Sequence, residues 1–581
     1  MKRLLTILIF CIAAIALTTG EAYACRKVTV RQGMDLVKVF AVKDTKYVIK
    51  QGINLGGKTV KIGEGSTLVF KGGSISNGTL KGDFKLKGVV RNSLGVKFSD
   101  CNIAGEVPVY RSDYAQSLMS SCTEKITLCD DITITTPIRL RASIEGQSHT
   151  VTSTTVSAVA FYIMDQRDVT LNDITIIKQI PEGTINQNYA LNIQNSSNIT
   201  VKNSHIVGRI HCVNKSQSDE PSDISENFSF LNSTLKADFT PCKQGWENGQ
   251  DHLAFFSIKN VRIENCTIIS KNVNRVLKTS AFFQTKDYPA AYNCTDGVLF
   301  KNNKVTAEAQ IGKQFWDMFC GTVNVLIEKN DITLKGFTRF VEDKAFQPKY
   351  KGEQLISSTI TIQDNSVYMN GGDLFQFLAN SDVDNFVVKG NHFTLAGVNR
   401  HPITGDERTC GFYLQGYKSC RIEGNEFTWK DGAVGLMLGK VNFISSSTVI
   451  RGNTIQDAYR LYFATANHPK MGQIRAQCNE FVYEGNTKHY TSAYRGDSRS
   501  EIYVAQSDVK TLQLDFGESD AGASFLLEFG KESVVENLSA NSNFGHKNLF
   551  RINNKQGTSI TNVRAPAMYH RQGSEWRAVK Q

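Results

Sequence analysis

Proline is scarce in this 581-residue chain, which has 10 prolines against 45 glycines and 43 asparagines. So few prolines exclude a proline-rich linker protein, and the many glycines and asparagines indicate a chain with frequent turns. Charged residues are also few, at 21%, while 41% of residues are hydrophobic and the mean hydropathy is −0.26. This balance excludes intrinsic disorder and favours a large, β-rich folded protein.

Several functional motifs are absent. The sequence has no CxxC pair, no zinc-ligand spacing, and no HExxH, GxSxG or EF-hand motif, so we expect no structural metal. Residues Gly52–Thr59 match a phosphate-binding P-loop, but that motif needs a helix to begin at Lys58. The following Val60–Gly63 alternates like a strand instead. We therefore expect neither a nucleotide nor a nucleic acid as partner.

A long apolar run occurs only at the start of the chain. Lys2 and Arg3 precede the apolar segment Leu4–Leu17, and Ala22–Ala24 provides the small residues of a cleavage site. This order is typical of a secretory signal peptide, which we assign to residues 1–24. The protein is accordingly expected in the periplasm or outside the cell.

Cysteine chemistry after export has open alternatives. Cys25 directly follows the predicted cut, so a lipid anchor there is the one membrane attachment considered. Ala22 stands three positions before it, where lipoprotein signals usually carry an aliphatic residue, which favours soluble export. Of the 12 cysteines left after cleavage, Cys122/Cys129 and Cys410/Cys420 are close enough to form local disulfides. Free, packed cysteines are an equally good interpretation.

An internal repeat gives the strongest signal in the sequence. Its phrase is aliphatic-x-aliphatic, two residues, a small polar residue, one residue and another apolar residue, as in Val325–Ile332 and Arg421–Phe427. Ten such small residues span 282 residues, a mean interval near 31. They are Ser204, Ser233, Cys266, Asn303, Asn330, Asn365, Asn391, Asn425, Asn453 and Asn486.

The repeat predicts both a corner and an architecture. Asn tolerates left-handed backbone geometry and its amide can bond identical amides above and below, so we expect a structural Asn ladder at stacked corners. A second period-two apolar run, such as Gly411–Leu414, lies between successive corners. Three short strands per repeat without crossover helices predict an all-β parallel β-helix.

The predicted organisation has four parts. A β-rich N-terminal segment covers 25–110, the β-helix 111–500, and irregular last coils with a C-terminal cap 501–581, after the signal peptide. Ser112 and Asp113 are predicted to cap a short helix through Met119 that covers the end of the solenoid.

The repeat resembles the right-handed parallel β-helix of the pectin lyase-like superfamily over roughly residues 130–490, and more weakly to about 565. Segment Gly57–Thr79 also resembles the N-terminal part of exported bacterial β-helix proteins associated with glycan use. The Asn-Thr-Asp, Gly-His-Gly and Arg-Ile-Lys motifs of the pectin-hydrolase branch are not intact. Phe544–Lys547 lacks the second glycine, and Arg421–Glu423 lacks the lysine. This lowers the expectation of that hydrolase chemistry and leaves a lyase open.

Strand alternation predicts an outward row that could follow a polymer. Within it, Asp317 and Arg339 are one repeat apart, with Glu342 close behind. For a lyase, Asp317 would hold calcium and Arg339 would act as base, whereas a glycosidase would use Asp317 with Glu342. The predicted substrate-binding residues are His252, Gln284, Gln376, Tyr413, Gln415, Arg460 and Tyr462.

The predicted function is action on polysaccharide. After removal of the signal the net charge is +10, since Lys2, Arg3 and Glu21 are lost from a total of +11, which suits an anionic glycan. A lyase or glycosidase is the leading hypothesis. The alternative is a non-catalytic β-helix that only binds glycan or serves as a surface protein.

Overall fold

The computed structural model describes residues 26–578 with internal gaps. The gaps are 89–94, 156–158, 180–188, 216–224, 239–250, 281–293, 310–313, 319–321, 344–357, 371–372, 378–382, 397–409, 415–416, 430–433, 439–446, 457–459, 465–469, 478–479, 483–499, 506–507, 516–524, 530–533, 541–548, 553–558, 565–568 and 573–574. The predicted signal peptide, Cys25 and the ladder position Asn486 therefore lie outside the described residues.

The chain divides into two compact units. One comprises Met1–Ile132 with Arg141–Ser143, and the other Thr133–Leu140 with Ile144–Gln581. The division falls beyond residue 110, where the sequence interpretation ended the N-terminal segment. Among the described residues, no helix is both long and apolar enough to cross a membrane.

The first unit is built from short parallel strands and two helices. Its helices are Leu36–Phe40 (α1) and Ala115–Ser121 (α2), and its strand pairs are all parallel. Its strands are Arg26–Val30, Thr45–Ile49, Gly52–Asn54, Thr59–Lys61, Ser66–Phe70, Ser74–Ser76, Gly78–Lys87, Val96–Ala104, Glu106–Val109 and Lys125–Leu128. Gly52–Asn54 and Thr59–Lys61 are strands, with no helix at Lys58, so the P-loop match has no phosphate-binding geometry.

Helix α2 confirms the helix predicted before the main repeat but not its cap. Tyr114 is the N-cap residue and its side chain makes no capping hydrogen bond. The Asp113 carboxylate instead accepts a hydrogen bond from the Gly95 N–H at 2.8 Å. The prediction that Ser112 and Asp113 cap the helix is therefore wrong, because the Asp113 carboxylate accepts the backbone N–H of Gly95 instead.

The second unit repeats a coil of three strands. Ile258–Glu264 is followed by Thr267–Val273 and Arg275–Ser280, and each pairs in parallel with the matching strand one coil on. Strands of the same kind thus form three long sheets, here sheets 1, 2 and 3 in chain order within a coil. This register confirms the predicted all-β parallel β-helix.

Sheet 1 comprises Ser143–Glu145, Thr170–Asn172, Ile199–Lys202, Ser225–Leu231, Ile258–Glu264, Thr295–Lys301, Thr322–Glu328, Thr359–Gln363, Val383–Lys389, Tyr417–Glu423, Ser447–Arg451, Lys470–Gln477, Asp508–Asp515, Val534–Ala540, Ser559–Ile560 and Val563–Arg564. Sheet 2 comprises Ile132–Ile134, Thr150–Ser153, Thr175–Lys178, His205–Val207, Thr234–Asp238, Thr267–Val273, Lys304–Ala309, Asp331–Lys335, Ser366–Asn370, His392–Ala396, Glu426–Trp429, Thr454–Gln456 and Glu480–Val482. Sheet 3 comprises Ile138–Arg139, Val159–Met164, Tyr189–Gln194, Arg209–Val213, Asp251–Phe256, Arg275–Ser280, Gln314–Asp317, Arg339–Asp343, Asp373–Phe377, Cys410–Leu414, Val434–Leu438, Arg460–Ala464, Ser500–Ala505, Phe525–Phe529 and Leu549–Ile552.

Among the described residues, the last coils contribute strands to two of the three sheets. Described strands beyond residue 500 join sheets 1 and 3, while the last described strand of sheet 2 is Glu480–Val482. An antiparallel hairpin of Tyr569–Gln572 with Glu575–Ala578 follows them.

Inward residues stack into apolar columns. Phe230, Ile263, Phe300 and Ile327 occupy one register position on neighbouring strands of sheet 1, and each is fully buried. Burial of each such side chain contributes on the order of 2 kcal/mol. Because the side-chain period of a strand is two, this column fixes which residues face outward.

The predicted Asn ladder is present at the corner between sheets 1 and 2. Asn303, Asn330, Asn365, Asn391 and Asn425 each donate their side-chain amide to the Oδ1 of the next corner asparagine, at 2.8–3.0 Å. That same Oδ1 also accepts the backbone N–H of the preceding corner at 2.9–3.0 Å. Within the described residues the ladder ends at Asn453, and every member is buried.

The left-handed residue of the corner is not the ladder asparagine. It is the residue before it, as at Asn302, Lys329 and Asp364, whose φ angles are 53°, 55° and 55°. In later coils Gly390 and Gly424 take this position. The expectation that the ladder Asn supplies the left-handed geometry is therefore wrong: it is there because its amide satisfies buried backbone groups.

A second, exposed amide file escaped the sequence interpretation. Asn198 donates to Asp168, Asn227 to Asn198 and Asn260 to Asn227, at 2.8–3.0 Å. All four have positive φ angles between 56° and 60°. Their intervals of 29 to 33 residues follow the coil length, so this file marks a second stacked corner.

Seven described cysteines are free. Cys122 and Cys129 are both among them, so this predicted local pair does not form. Cys420 is free as well, which also excludes its pairing with Cys410. Burial raises the pKa of the Cys122 thiol to about 12, as expected for a packed and unreactive cysteine.

Removing one ladder amide should destabilise the β-helix. Asn365→Ala would leave the buried N–H of Asn330 and the carbonyl of Ile327 without their partner. We expect a loss of about 3 kcal/mol, seen as a lower urea midpoint by far-UV circular dichroism. Asn370→Ala, on the exposed face of sheet 2, is the matched control. Equal midpoints for the two variants would contradict a stabilising role of the ladder.

Candidate functional site on sheet 3

Strand register defines an outer row on sheet 3. One register position runs through Asn192, His211, Ala254, Lys278, Asp317, Glu342, Gln376, Tyr413, Met437 and Tyr462. We call this set the outer row. It contains five of the residues predicted as site residues, and Asp317 and Glu342 are directly paired on neighbouring strands.

The other predicted site residues have different positions. Arg460 lies two positions before Tyr462 on its strand and pairs with Glu501. Gln284 and Gln415 lie outside the described residues. Arg339 is three positions before Glu342, off the outer row, and pairs with Gln314 and Asp373.

His252 does not face the outer row. It is fully buried, and its Nδ1 lies 2.7 Å from the Ser270 hydroxyl of sheet 2. The row position of its coil is held by Ala254. The prediction that His252 contacts substrate does not fit this burial.

A buried charge cluster lies beside the outer row. Arg275 contacts Asp251 Oδ1 at 2.9 Å and Asp317 Oδ2 at 2.7 Å, so one guanidinium connects two carboxylates. The exposed fractions of the two acid side chains are 6% and 4%, and that of Arg275 is 13%. Buried charges persist only when paired in this way.

Glu342 and Arg339 extend the cluster. Arg339 donates to Glu342 Oε2 at 3.1 Å, and the Glu342 side chain is 1% exposed. A guanidinium that donates to a carboxylate acts as a cation, which is the opposite of the predicted base role of Arg339.

The two acids that share Arg275 differ in their electrostatics. Burial raises the pKa of Asp317 above its usual range, more than the attraction of Arg275 and Lys278 lowers it. Burial also disfavours the charged form of Asp251, but Arg275, Lys278 and Arg209 outweigh it and lower its pKa. Burial likewise opposes the charge of Arg275, yet Asp251 and Asp317 raise its pKa. Such divergent carboxyl groups are typical of acid–base sites.

An aromatic and basic patch adjoins the cluster, and the sequence interpretation missed it. The His211 ring lies between those of Tyr189 and Phe256, with centroids 5.3 Å from each. The Arg209 guanidinium lies 4.6 Å from the Tyr189 ring centre, and Lys278 Nζ lies 5.5 Å from that of Phe256. These contacts join four coils and place partly buried rings beside cations, a surface suited to sugar faces and anionic substituents.

Calcium does not fit the described residues of this site. Oδ2 of Asp317 pairs with Arg275, and no group of three or more His, Cys, Asp or Glu side chains among the described residues could hold a metal ion. A hard cation would need several free oxygen ligands. The predicted calcium role of Asp317 therefore has no support in this geometry.

Comparison with known proteins adds a structural likeness. No family model and no curated protein matches the chain. Among solved structures, a mutant tailspike protein of E. coli bacteriophage HK620 aligns over 90% of this chain and 73% of that chain. Its identity is 13% and its TM-score 0.23. The fold assignment therefore rests on the strand register, and membership of the pectin lyase-like superfamily stays a prediction.

Arg275 should be more important for stability than an exposed arginine. Arg275→Gln would leave Asp251 and Asp317 buried without their shared counter-charge, and we expect a loss of about 3 to 5 kcal/mol. Arg262→Gln breaks the pair with Glu264, in which the arginine side chain is 54% exposed, and should cost under about 1 kcal/mol. The urea midpoints of the two variants measure this difference in stability. A smaller shift for Arg275→Gln than for Arg262→Gln would contradict the described cluster.

Buried histidines should make the fold acid-sensitive. Burial lowers the pKa of His252 to about 3 and that of His211 to about 4, so the unfolded chain takes up protons that the folded chain refuses. The contribution of these histidines to the free energy of unfolding is therefore fully present above about pH 6.5 and is lost as the pH decreases toward 4. His252→Asn should flatten this dependence. Parallel curves of urea midpoint against pH for wild type and His252→Asn would refute this origin.

Proposed function

We propose that this protein is exported and acts on polysaccharide held along the outer row of sheet 3, and that it hydrolyses the chain at Asp317 and Glu342. The observation that carries the proposal is the direct pairing of these two acids on neighbouring strands, with the pKa of Asp317 raised by burial. The signal sequence supports export, and the repeat's resemblance to the pectin lyase-like superfamily supports a glycan substrate.

Burial favours the neutral, protonated form of Asp317, so this carboxyl group is suited to donate a proton to the leaving oxygen as the general acid. Glu342 would supply the carboxylate that activates water or attacks the sugar. Gln376, Tyr413 and Tyr462 hold the same register position on later strands of sheet 3.

Elimination chemistry has less support. A lyase on a uronate needs a neutralised carboxylate and a base beside the proton. Arg339 is bound to Glu342, and the described residues contain no group of three or more His, Cys, Asp or Glu side chains that could hold calcium. Hydrolysis needs only the two acids. An anionic glycan remains the expected substrate, because the exported chain is basic and Lys278 stands on the row next to Asp317.

A second candidate function is glycan binding without cleavage. Asp317 is 3% exposed and Glu342 fully buried, each held by an arginine. Buried carboxyl groups that are paired with arginines contribute to the stability of the fold more readily than they contact a substrate. The partly buried rings of Tyr189, His211 and Phe256 would then provide the binding surface.

Two substitutions distinguish these functions. Asp317→Asn and Glu342→Gln keep the shape of each side chain but remove its acid–base chemistry, and each should lower reducing-end release from a panel of uronate-containing and sulfated polysaccharides by about 100-fold or more. Asp331→Asn, on the exposed face of sheet 2, is the control and should keep full activity.

The products separate the outcomes. Ultraviolet absorbance from unsaturated sugar ends would show a lyase and refute hydrolysis. Binding without release of reducing ends would favour the non-catalytic protein. Reducing ends released equally by wild type and both acid variants would place the chemistry elsewhere.

A further inference from the structure

A polar cavity of about 430 Å³ lies at the corner between sheets 1 and 2, away from the outer row of sheet 3. Three successive coils contribute equivalent positions to it. The corner residues are Asp173, Asn203 and Asn232, and the first strand residues of sheet 2 are Thr175, His205 and Thr234. Its volume is within the range of small-molecule sites, about 300–1,000 Å³.

The backbone holds these groups at fixed spacing. Thr175 pairs with His205, and His205 with Thr234, on adjacent parallel strands. Neighbouring strands lie about 4.8 Å apart, so the cavity presents one polar side chain per strand at regular intervals. Such a wall is preformed, which reduces the entropy lost when a ligand binds.

The corner residues form a second polar wall. Asp173, Asn203 and Asn232 have φ angles of 49°, 52° and 49°, so the chain turns in the same way in each coil. Asn203 donates its side-chain amide to Asn172 Oδ1 at 2.9 Å, which fixes the amide's orientation. The Ser148 hydroxyl lies 2.9 Å and 3.1 Å from the two oxygens of Asp173 and so orients this carboxylate.

The charge of the lining excludes an anionic ligand. Asp173 is its one carboxylate, and no lysine or arginine lines the cavity. Burial, with a contribution from Lys236, lowers the pKa of His205, which favours the neutral imidazole. Hydroxyl, amide and imidazole groups together with one carboxylate suit a neutral ligand rich in hydroxyl groups. Ile174 adds an apolar contact.

We propose that this cavity is a second carbohydrate site, which binds a neutral sugar unit between the corner residues and the first residues of sheet 2. Thr175, His205 and Thr234 would bond hydroxyl groups on one side of the sugar, with Asp173 and the two asparagines on the other. The site stands on its own lining and is independent of whether the sheet 3 face cleaves a glycan.

The test uses the full-length protein and isothermal titration with neutral tetrasaccharides, namely cellotetraose, maltotetraose and mannotetraose, beside tetragalacturonate. Thr175→Val with Thr234→Val removes two hydroxyls at nearly constant volume. We expect at least one neutral tetrasaccharide to bind wild type and to bind this double variant about tenfold more weakly. Thr234→Gln, which places a longer side chain in the cavity, should weaken the same ligand.

Matched controls separate this site from its surroundings. Thr306→Val with Thr333→Val changes two paired, exposed threonines of sheet 2 outside the cavity and should leave binding unchanged. Binding of the neutral sugars is measured separately from reducing-end release, so failure of the proposed hydrolysis and failure of this site give different results. The inference is overturned if none of the neutral sugars binds, if tetragalacturonate binds better, or if the cavity and control variants have equal affinities at equal urea midpoints.

Discussion

Satisfaction of buried backbone groups at one corner is the constraint on which the second unit depends. Each coil must turn between sheets 1 and 2, and the turn leaves an N–H group inside the protein. The corner asparagine of the next coil accepts that N–H, as Asn330 does for Asn303, while its own amide bonds a carbonyl of the coil before, here that of Phe300. Because a buried amide without a partner is costly, successive coils can stack in one register only. That register sets the outer row of sheet 3.

The sequence was sufficient to predict the fold because the aliphatic strand residues and the corner asparagines that determine it both face inward. Aliphatic residues such as Ile327 and ladder residues such as Asn330 occur at every turn and have no solvent alternative, so their spacing is visible in the chain. The left-handed position before the ladder was not predictable in the same way. It carries Asn302, Lys329 and Gly390 in different coils, since any residue that tolerates positive φ and faces solvent is sufficient there.

The candidate site could be predicted only where alternation is regular. Asp317 and Glu342 belong to the period-two row, and the register brings them together. The prediction for His252 fails because its ring lies against Ser270 of sheet 2, although His252 is on a strand of sheet 3. Asp251 was missed because alternation along its strand places it on the same face as the inward Leu253. Its carboxylate nevertheless pairs with Arg275 in the charge cluster. Long-range ion pairs of this kind depend on side-chain reach, which sequence spacing does not reveal.

The ladder also determines where the chain can change in length. Successive ladder asparagines from Asn303 to Asn453 are separated by 27, 35, 26, 34 and 28 residues, yet their hydrogen bonds stay within 0.2 Å of one another. The extra residues of the two long intervals lie in one connection each, between Asp343 and Thr359 from sheet 3 to sheet 1 and between Ala396 and Cys410 from sheet 2 to sheet 3. Insertions at either place do not disturb the stacking. A lineage can therefore lengthen or shorten the connections that reach sheet 3 while the hydrogen-bonded framework is inherited unchanged.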